Sequence, residues 1–345
     1  MKIRNNNIDI IKGISCIGVM LIHCDYPKTI TKYIKVINRF GVPFFFFVSG
    51  YYFLKNNDIK VKRIILKFYH IFKLFIYSGI FYNIFFIIFN NIVYHNNWNI
   101  FEYTLKIVNK GKIFKFFITN DPFLYSHLWF LLALLYSYFF LFILKIIHKN
   151  IIINNLFLII TIYFGAISYI ILGEFSGLKM FKTTYKINNS DKFIYIPNIF
   201  LFRTLPFIML GIFIRINNIT TKLSLQNYFY IFIIGTILSC IEYYLVKKSL
   251  IIYICTFIQL YPLIGFSISN YKINNNFIIS YIGRELSLKI YIYHIAIKKI
   301  VDLIFLKLKL KILLNFELFF LSFLTIIICL LLNIIHKNFF NYRII

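Results

Sequence analysis

Apolar runs alternate with short polar stretches along the whole chain, and ten of these runs are long enough to form membrane-crossing helices. They fall at about 8–24, 36–54, 68–93, 127–147, 151–172, 199–216, 227–246, 249–269, 277–297 and 312–336. The pattern predicts an all-α fold: a polytopic transmembrane helical bundle of about ten spans, forming one membrane domain over residues 1–345. Two connections are long. Residues 94–126 carry their own apolar piece, Ile113 to Ile118, and residues 173–198 pass Gly173, Gly177 and Pro197. With the amino terminus inside, both lie on the outer face, and ten spans return the carboxyl terminus to the cytoplasm. Lys and Arg are shared almost evenly between the two sets of loops. Orientation therefore rests on the dense run Lys55, Lys60, Lys62, Arg63 and Lys67, which marks a short cytoplasmic loop.

The polar residues inside the runs carry the chemistry, because an ionisable group at membrane depth costs at least ~2.5–3.5 kcal/mol on insertion scales. The first run reads IDIIKGISCIGVMLIHC and holds Asp9, Lys12 and His23. At ~100° per residue, the eleven steps from Lys12 to His23 return to within about 20° of the starting direction, about 16 Å along the axis. Lys12, Cys16, Val19 and His23 thus form one stripe, with Asp9 a turn before Lys12 and able to neutralise it. Gly13 and Gly18 give a neighbouring helix room to approach. Either Asp9 and Lys12 snorkel to the inner headgroups while His23 ends the helix, or the stripe lines a catalytic or binding channel. Periodicity does not choose between them.

Other runs add candidates. The second holds Arg39 near its outer end, Pro43 loosening the backbone, and the small pair Ser49-Gly50. The fourth opens with His127 and Trp129, an amphipathic ring for the interface. Arg203 and Pro206 follow. Glu242 lies deep enough in its run to be functional, whereas Arg284 and Glu285, near Lys289, are able to pair with each other.

Composition narrows the class. Hydrophobic residues make up 60% of the chain and charged residues 14%, too little charge for a water-facing surface. The balance of 38 Lys+Arg against 11 Asp+Glu gives +27. Because the basic residues are divided among many loops on both faces, they suit anionic lipid rather than nucleic acid. The five cysteines form no CxxC pair and no zinc-spaced cluster with histidine, so no metal is expected. The first run lacks a small-residue cleavage site and is expected to remain as a span.

The segments IDIIKGISCIGVMLIH (8–23), NRFGVPFFFFVSGYYFL (38–54), HLWFLLALL (127–135), RTLPFIMLGIFI (203–214) and SLKIYIYHIAI (287–297) together resemble the acyltransferase-3 family of integral membrane O-acyltransferases. The likeness is to the bare membrane module, also found joined to racemase domains in vancomycin-resistance serine racemases. It implies an acyltransferase moving a non-aminoacyl group, usually acetyl, from cytoplasmic acyl-CoA to a hydroxyl of a cell-surface glycan or its lipid-linked precursor. It implies a bacterial inner-membrane setting among membrane lipids, and a homo-oligomer is among the assemblies it allows. The family's first-helix pattern, a basic residue and a histidine eleven positions later, falls on Lys12 and His23. Many relatives have Arg at the first place, so Lys keeps the charge and loses the bidentate fork. By the same resemblance His23 is the catalytic residue. Asp9, Lys12, Arg39, Ser49, Trp129 and Glu242 are the substrate- or donor-binding candidates.

The competing reading is a transporter of a small solute such as an amino acid, or a glycan exporter or flippase, which would use the same buried charges. Against it, the chain shows no convincing internal repeat and no evident pair of Gly/Pro-broken half-helices.

Overall fold

The structure is a computed structural model that describes residues 5–24, 28–54, 60–94, 116–117, 120, 122, 125–174, 182–187, 190–195, 200–246, 253–271, 278–307 and 317–340. Helices dominate: α1 Asn6–His23, α2 Lys28–Ile37, α3 Gly41–Tyr51, α4 Val61–Tyr94, α5 Trp129–Ile147, α6 Asn155–Glu174, α7 Leu205–Ile216, α8 Leu225–Val246, α9 Ile254–Ser267, α10 Ser287–Lys307 and α11 Glu317–Phe340. A single turn, Phe200–Arg203, precedes α7. Ile278–Tyr281 and a π-helical turn, Ile282–Leu286, run directly into α10. One antiparallel hairpin, β1 Lys182–Ile187 with β2 Ser190–Tyr195, stands in the segment expected to be a plain loop.

Helices lie at all ten expected places, with three corrections. First, the expected run 36–54 holds α3 and only the last two residues of α2, most of which lies in the stretch expected to connect the first two spans. Asn38 and Arg39 sit in a turn between α2 and α3, where the Asn38 amide donates to the carbonyl of Ile34 (2.9 Å) and closes α2. Pro43 is the third residue of α3, in the first turn where a missing N–H goes unnoticed, so it admits the helix rather than loosening it. Second, α4 starts seven residues before the expected 68. Lys62, Arg63 and Lys67 are helical rather than loop residues, because long basic side chains are good helix formers that carry their charge elsewhere. Arg63 and Lys67 each donate to the carbonyl of Tyr52 at 2.9 Å. Third, the ninth helix continues ten residues past 297 to Lys307, with Lys298 held to Asp302 one turn on (3.3 Å).

By length and apolar composition, three described helices reach across a membrane: Val61–Val93, Trp129–Ile147 and Leu225–Val246. α4 shows what they face. Ile76, Ile80, Ile84, Ile88 and Ile92, spaced one turn apart, are all largely exposed. On α8 the same holds for Tyr230, Ile234, Ile237, Ile241 and Tyr244. Continuous aliphatic faces of this extent belong in lipid, and the protein is a membrane protein.

The chain divides into two compact units, Met1–Phe45 with Ile219–Ile345, and Phe46–Asn218. In the first, α1 lies parallel to α10. Gly283 faces the backbone of Asp9, the Cys16 thiol meets the Ser287 carbonyl at 3.7 Å, and Cys24 joins Ile297 and Val301. α11 runs back along α10, with Leu321 against Val301 and Cys329 against Leu286 and Ile290. α8 and α9 are antiparallel, Gly235 meeting Gln259 and Tyr228 meeting Gly265. In the second unit, Phe46 stacks on Phe130 (4.6 Å) and Phe53 on Tyr138 (5.6 Å), so the end of α3 runs parallel to α5. α4 opposes α5, and α6 opposes α7. Thus α1 and α10 share a direction in the first unit, with α11 opposite, and α3 and α5 share one in the second.

Candidate active site

The site grows from the ends of α1. At its start, Asn5 caps the helix by accepting the backbone N–H groups of Asn7 (3.0 Å) and Ile8 (3.3 Å). The Asn5 amide donates to Ser267 O (2.8 Å) and the Asn7 amide to Tyr271 O (3.0 Å), which ties α1 to the carboxyl end of α9. Gly13 and Gly283 then let α1 and the segment before α10 touch backbone to backbone, with Ile279 and Asp9 as the opposing residues. Gly18 lies against Asn38. The close approach expected at Gly13 and Gly18 is what the helices use.

This packing fixes where the stripe goes. Asp9 is buried at 3% exposure and Lys12 is half-buried near Cys16, at one end of α1. At the other end, the His23 ring meets that of His294 from α10, centroids 5.1 Å apart and planes inclined by 51°. His294 is buried at 3% exposure. Its Nδ1 lies 2.9 Å from the carbonyl oxygen of Ile290 and 3.0 Å from that of Tyr291. Lys35 of α2, Arg39 of the following turn and Lys298 of α10 are within electrostatic reach of His23. Positive charge within reach of His23 suits developing negative charge beside it.

The other three expected residues have partners of their own. Glu242 is four residues from the end of α8, and its carboxylate accepts the N–H groups of Ile254 (2.8 Å) and Cys255 (2.9 Å). It caps α9, where a negative group suits both the open donors and the helix dipole, and it is not part of the His23 cluster. Replacing it with Ala is expected to cost about 0.5–2 kcal/mol of stability, as caps do. The loss would be read as a lower Tm of the detergent-purified protein, with Glu242→Gln falling between Ala and the native residue.

Ser49 and Trp129 belong to the second unit. Ser49 is hydrogen-bonded to the phenol of Tyr138. Trp129 carries the guanidinium of Arg203 on its face, with the carbon 3.4 Å from the ring centroid, and Phe46 meets the ring edge-on at 5.9 Å. Arg203 was visible in the sequence, but its partner was not. In the first unit Arg284 pairs with Glu285 (3.3 Å), as their adjacency suggested. Lys289 instead donates to Asn333 (2.6 Å), whose amide donates to the Tyr281 hydroxyl (3.0 Å).

Among the described residues no group of three or more His, Cys, Asp or Glu side chains is placed to hold a metal ion. The residue that sequence reasoning missed is His294. It stood in a segment carrying the family resemblance, with no role attached.

Compared with known proteins, residues 5–334 match the acyltransferase-3 family model, described as an acyltransferase domain. No curated protein and no solved structure matches the chain.

Proposed function

Because the chain belongs to the acyltransferase-3 family, and is thereby a membrane acyltransferase of groups other than aminoacyl, we propose that it moves an acetyl or similar acyl group from cytoplasmic acyl-CoA to a hydroxyl of a surface glycan or its lipid-linked precursor. The observation that carries this reading is the His23–His294 ring contact at one end of α1, with Lys12 and Asp9 at the other end. Transfer needs a base near the acceptor hydroxyl and a cation near the anionic donor, and α1 supplies both about 16 Å apart. In the step, one ring nitrogen of His23 takes the hydroxyl proton as that oxygen attacks the thioester carbonyl carbon. The C–S bond then breaks, and the leaving thiolate recovers the proton from His23. Lys12 and the basic inner loops hold the phosphates of the donor at the cytoplasmic mouth. Arg39 stands beside the developing oxyanion. Ser49 and Trp129 belong to the donor-binding set.

The setting is a bacterial inner membrane, crossed several times, with both termini cytoplasmic. The parallel course of α1 and α10 supports that reading, since a first and a ninth span must run the same way. Orientation follows from the basic run Lys55 to Lys67.

Mass spectrometry of surface glycans from a deletion strain tests the proposal. The acyl substituent is expected to disappear from the deletion strain and to return on complementation, and purified protein in liposomes should consume acyl-CoA only when a glycan acceptor is supplied. Unchanged glycans, or solute uptake without acyl-CoA consumption, would overturn it in favour of transport.

A further inference from the structure

We infer that His294 is a positioning residue for the reaction: it fixes the ring of His23 and supports the charge His23 acquires when it takes the acceptor proton. The inference rests on the proposed role of His23 and adds a partner to it. It begins with the two carbonyls at Nδ1 of His294, Ile290 O at 2.9 Å and Tyr291 O at 3.0 Å. A carbonyl oxygen only accepts, so Nδ1 must carry the hydrogen. In a neutral ring that leaves Nε2 as an acceptor.

Both carbonyls belong to the turn of α10 just before His294, so the ring is fastened to its own helix. α10 is in turn fastened to α1 by glycine contacts and by the buried cluster of Cys16, Met20, Leu286 and Ile290. His23, half-buried at the last position of α1, therefore meets an imidazole whose orientation is set by a rigid frame. Lys35, Arg39 and Lys298 are the cations within electrostatic reach of His23. A newly formed imidazolium there needs an acceptor for its second N–H, and the basic residues offer none. Nε2 of His294 can provide it. Ring centroids 5.1 Å apart put the two imidazoles in contact, and catalytic hydrogen bonds commonly tighten when substrate binds. A third group that orients the base is the same logic by which a carboxylate serves the histidine of a hydrolase triad, here with a neutral acceptor.

The test uses the full-length protein in nanodiscs with acyl-CoA and acceptor. His294→Phe keeps a ring in the packing and removes the acceptor; kcat is expected to fall about 10- to 100-fold with little change in KM. His294→Gln places an amide oxygen near the former Nε2 and is expected to recover most of that loss. In a His23→Ala background, His294→Phe should cost nothing further, because its effect runs through His23. Wild-type kcat in His294→Phe, a loss that Gln fails to recover, or additive losses in the double variant would each overturn the inference. Nitrogen NMR of histidine-labelled wild-type protein covers the case in which the variants misfold. It should show His294 as the Nδ1–H tautomer, and an Nε2–H tautomer refutes the proposal. Full transfer by His23→Ala would instead remove the reading of His23 itself, a separate failure.

Discussion

His23→Ala is expected to lower kcat/KM for acyl transfer by about 10²–10⁴, the usual contribution of a positioned general base, leaving a measurable remainder. The reason is positional. His23 is the last residue of α1, on the face shared with Lys12, and Lys35, Arg39 and Lys298 are within electrostatic reach of it. No other described histidine joins that cluster except His294, whose Nδ1 is engaged with backbone carbonyls. His23→Gln keeps a polar side chain of similar reach and removes the base, so it should fall nearly as far as Ala. The fold should survive both substitutions. α1 is anchored at its other end by the Asn5 cap, the Asn7 contacts and the glycine crossings, and its final residue adds little. Radiolabelled acyl transfer by detergent-purified protein, normalised to folded protein by Tm, is the measurement. Full activity in either variant removes His23 from the reaction.

The half of the site that lies on one helix was legible in the sequence. Lys12 and His23 share α1, and a 3.6-residue period is enough to put them on one face. His294 was not legible in the same way, because it is separated from His23 by nearly the whole chain. Only the parallel packing of α1 and α10 joins them, and local periodicity carries no information about which helices become neighbours. The cap made by Glu242 was hidden for a related reason. Its depth in an apolar run looked functional, but a run does not reveal that the next helix begins beside it with open N–H groups. Asn5 and Asn7 went unweighed because asparagine is so common in this chain. Their roles come from position, one as a helix cap and the other beside the end of α9.

Helix positions were read well and helix ends less so. Hydropathy locates the apolar centre of a span and fails where polar residues are helical, as with Arg63 and Lys67 at the start of α4 and Lys298 within α10. It also misses an amphipathic helix with little net hydrophobicity: α2, KTITKYIKVI, fell mostly in the stretch between two expected spans. α3 itself covers only about 16 Å at 1.5 Å per residue, well below the ~30 Å hydrocarbon core. Such a short helix suits glycine-mediated contact: Gly50 and Gly211 bring α3 and α7 together, Ile208 and Phe47 being the residues whose backbone they meet.

That dependence on glycine yields the largest expected effect on stability. A β-carbon at Gly283 would fall on the backbone carbonyl of Asp9 and crowd the backbone nitrogen of Gly13 (2.6 Å). Both obstacles are main chain, so no rotamer change relieves them, and the whole of α1 must move away from the segment leading into α10. Overpacking usually costs about 1–3 kcal/mol, and the rigid partner places Gly283→Ala at or above the top of that range. Gly79→Ala is the matched control. It lies inside α4 with nothing within 4 Å of its added β-carbon, so it should gain up to about 1 kcal/mol from helix propensity. Thermal unfolding in one detergent should therefore move in opposite directions, Tm falling for Gly283→Ala and holding or rising for Gly79→Ala. Because α1 also carries Lys12 and His23, displacing it should lower kcat even at temperatures where Gly283→Ala stays folded. An unchanged Tm and kcat for that variant would mean that the close crossing of α1 with the α10 segment is not what holds the histidines together.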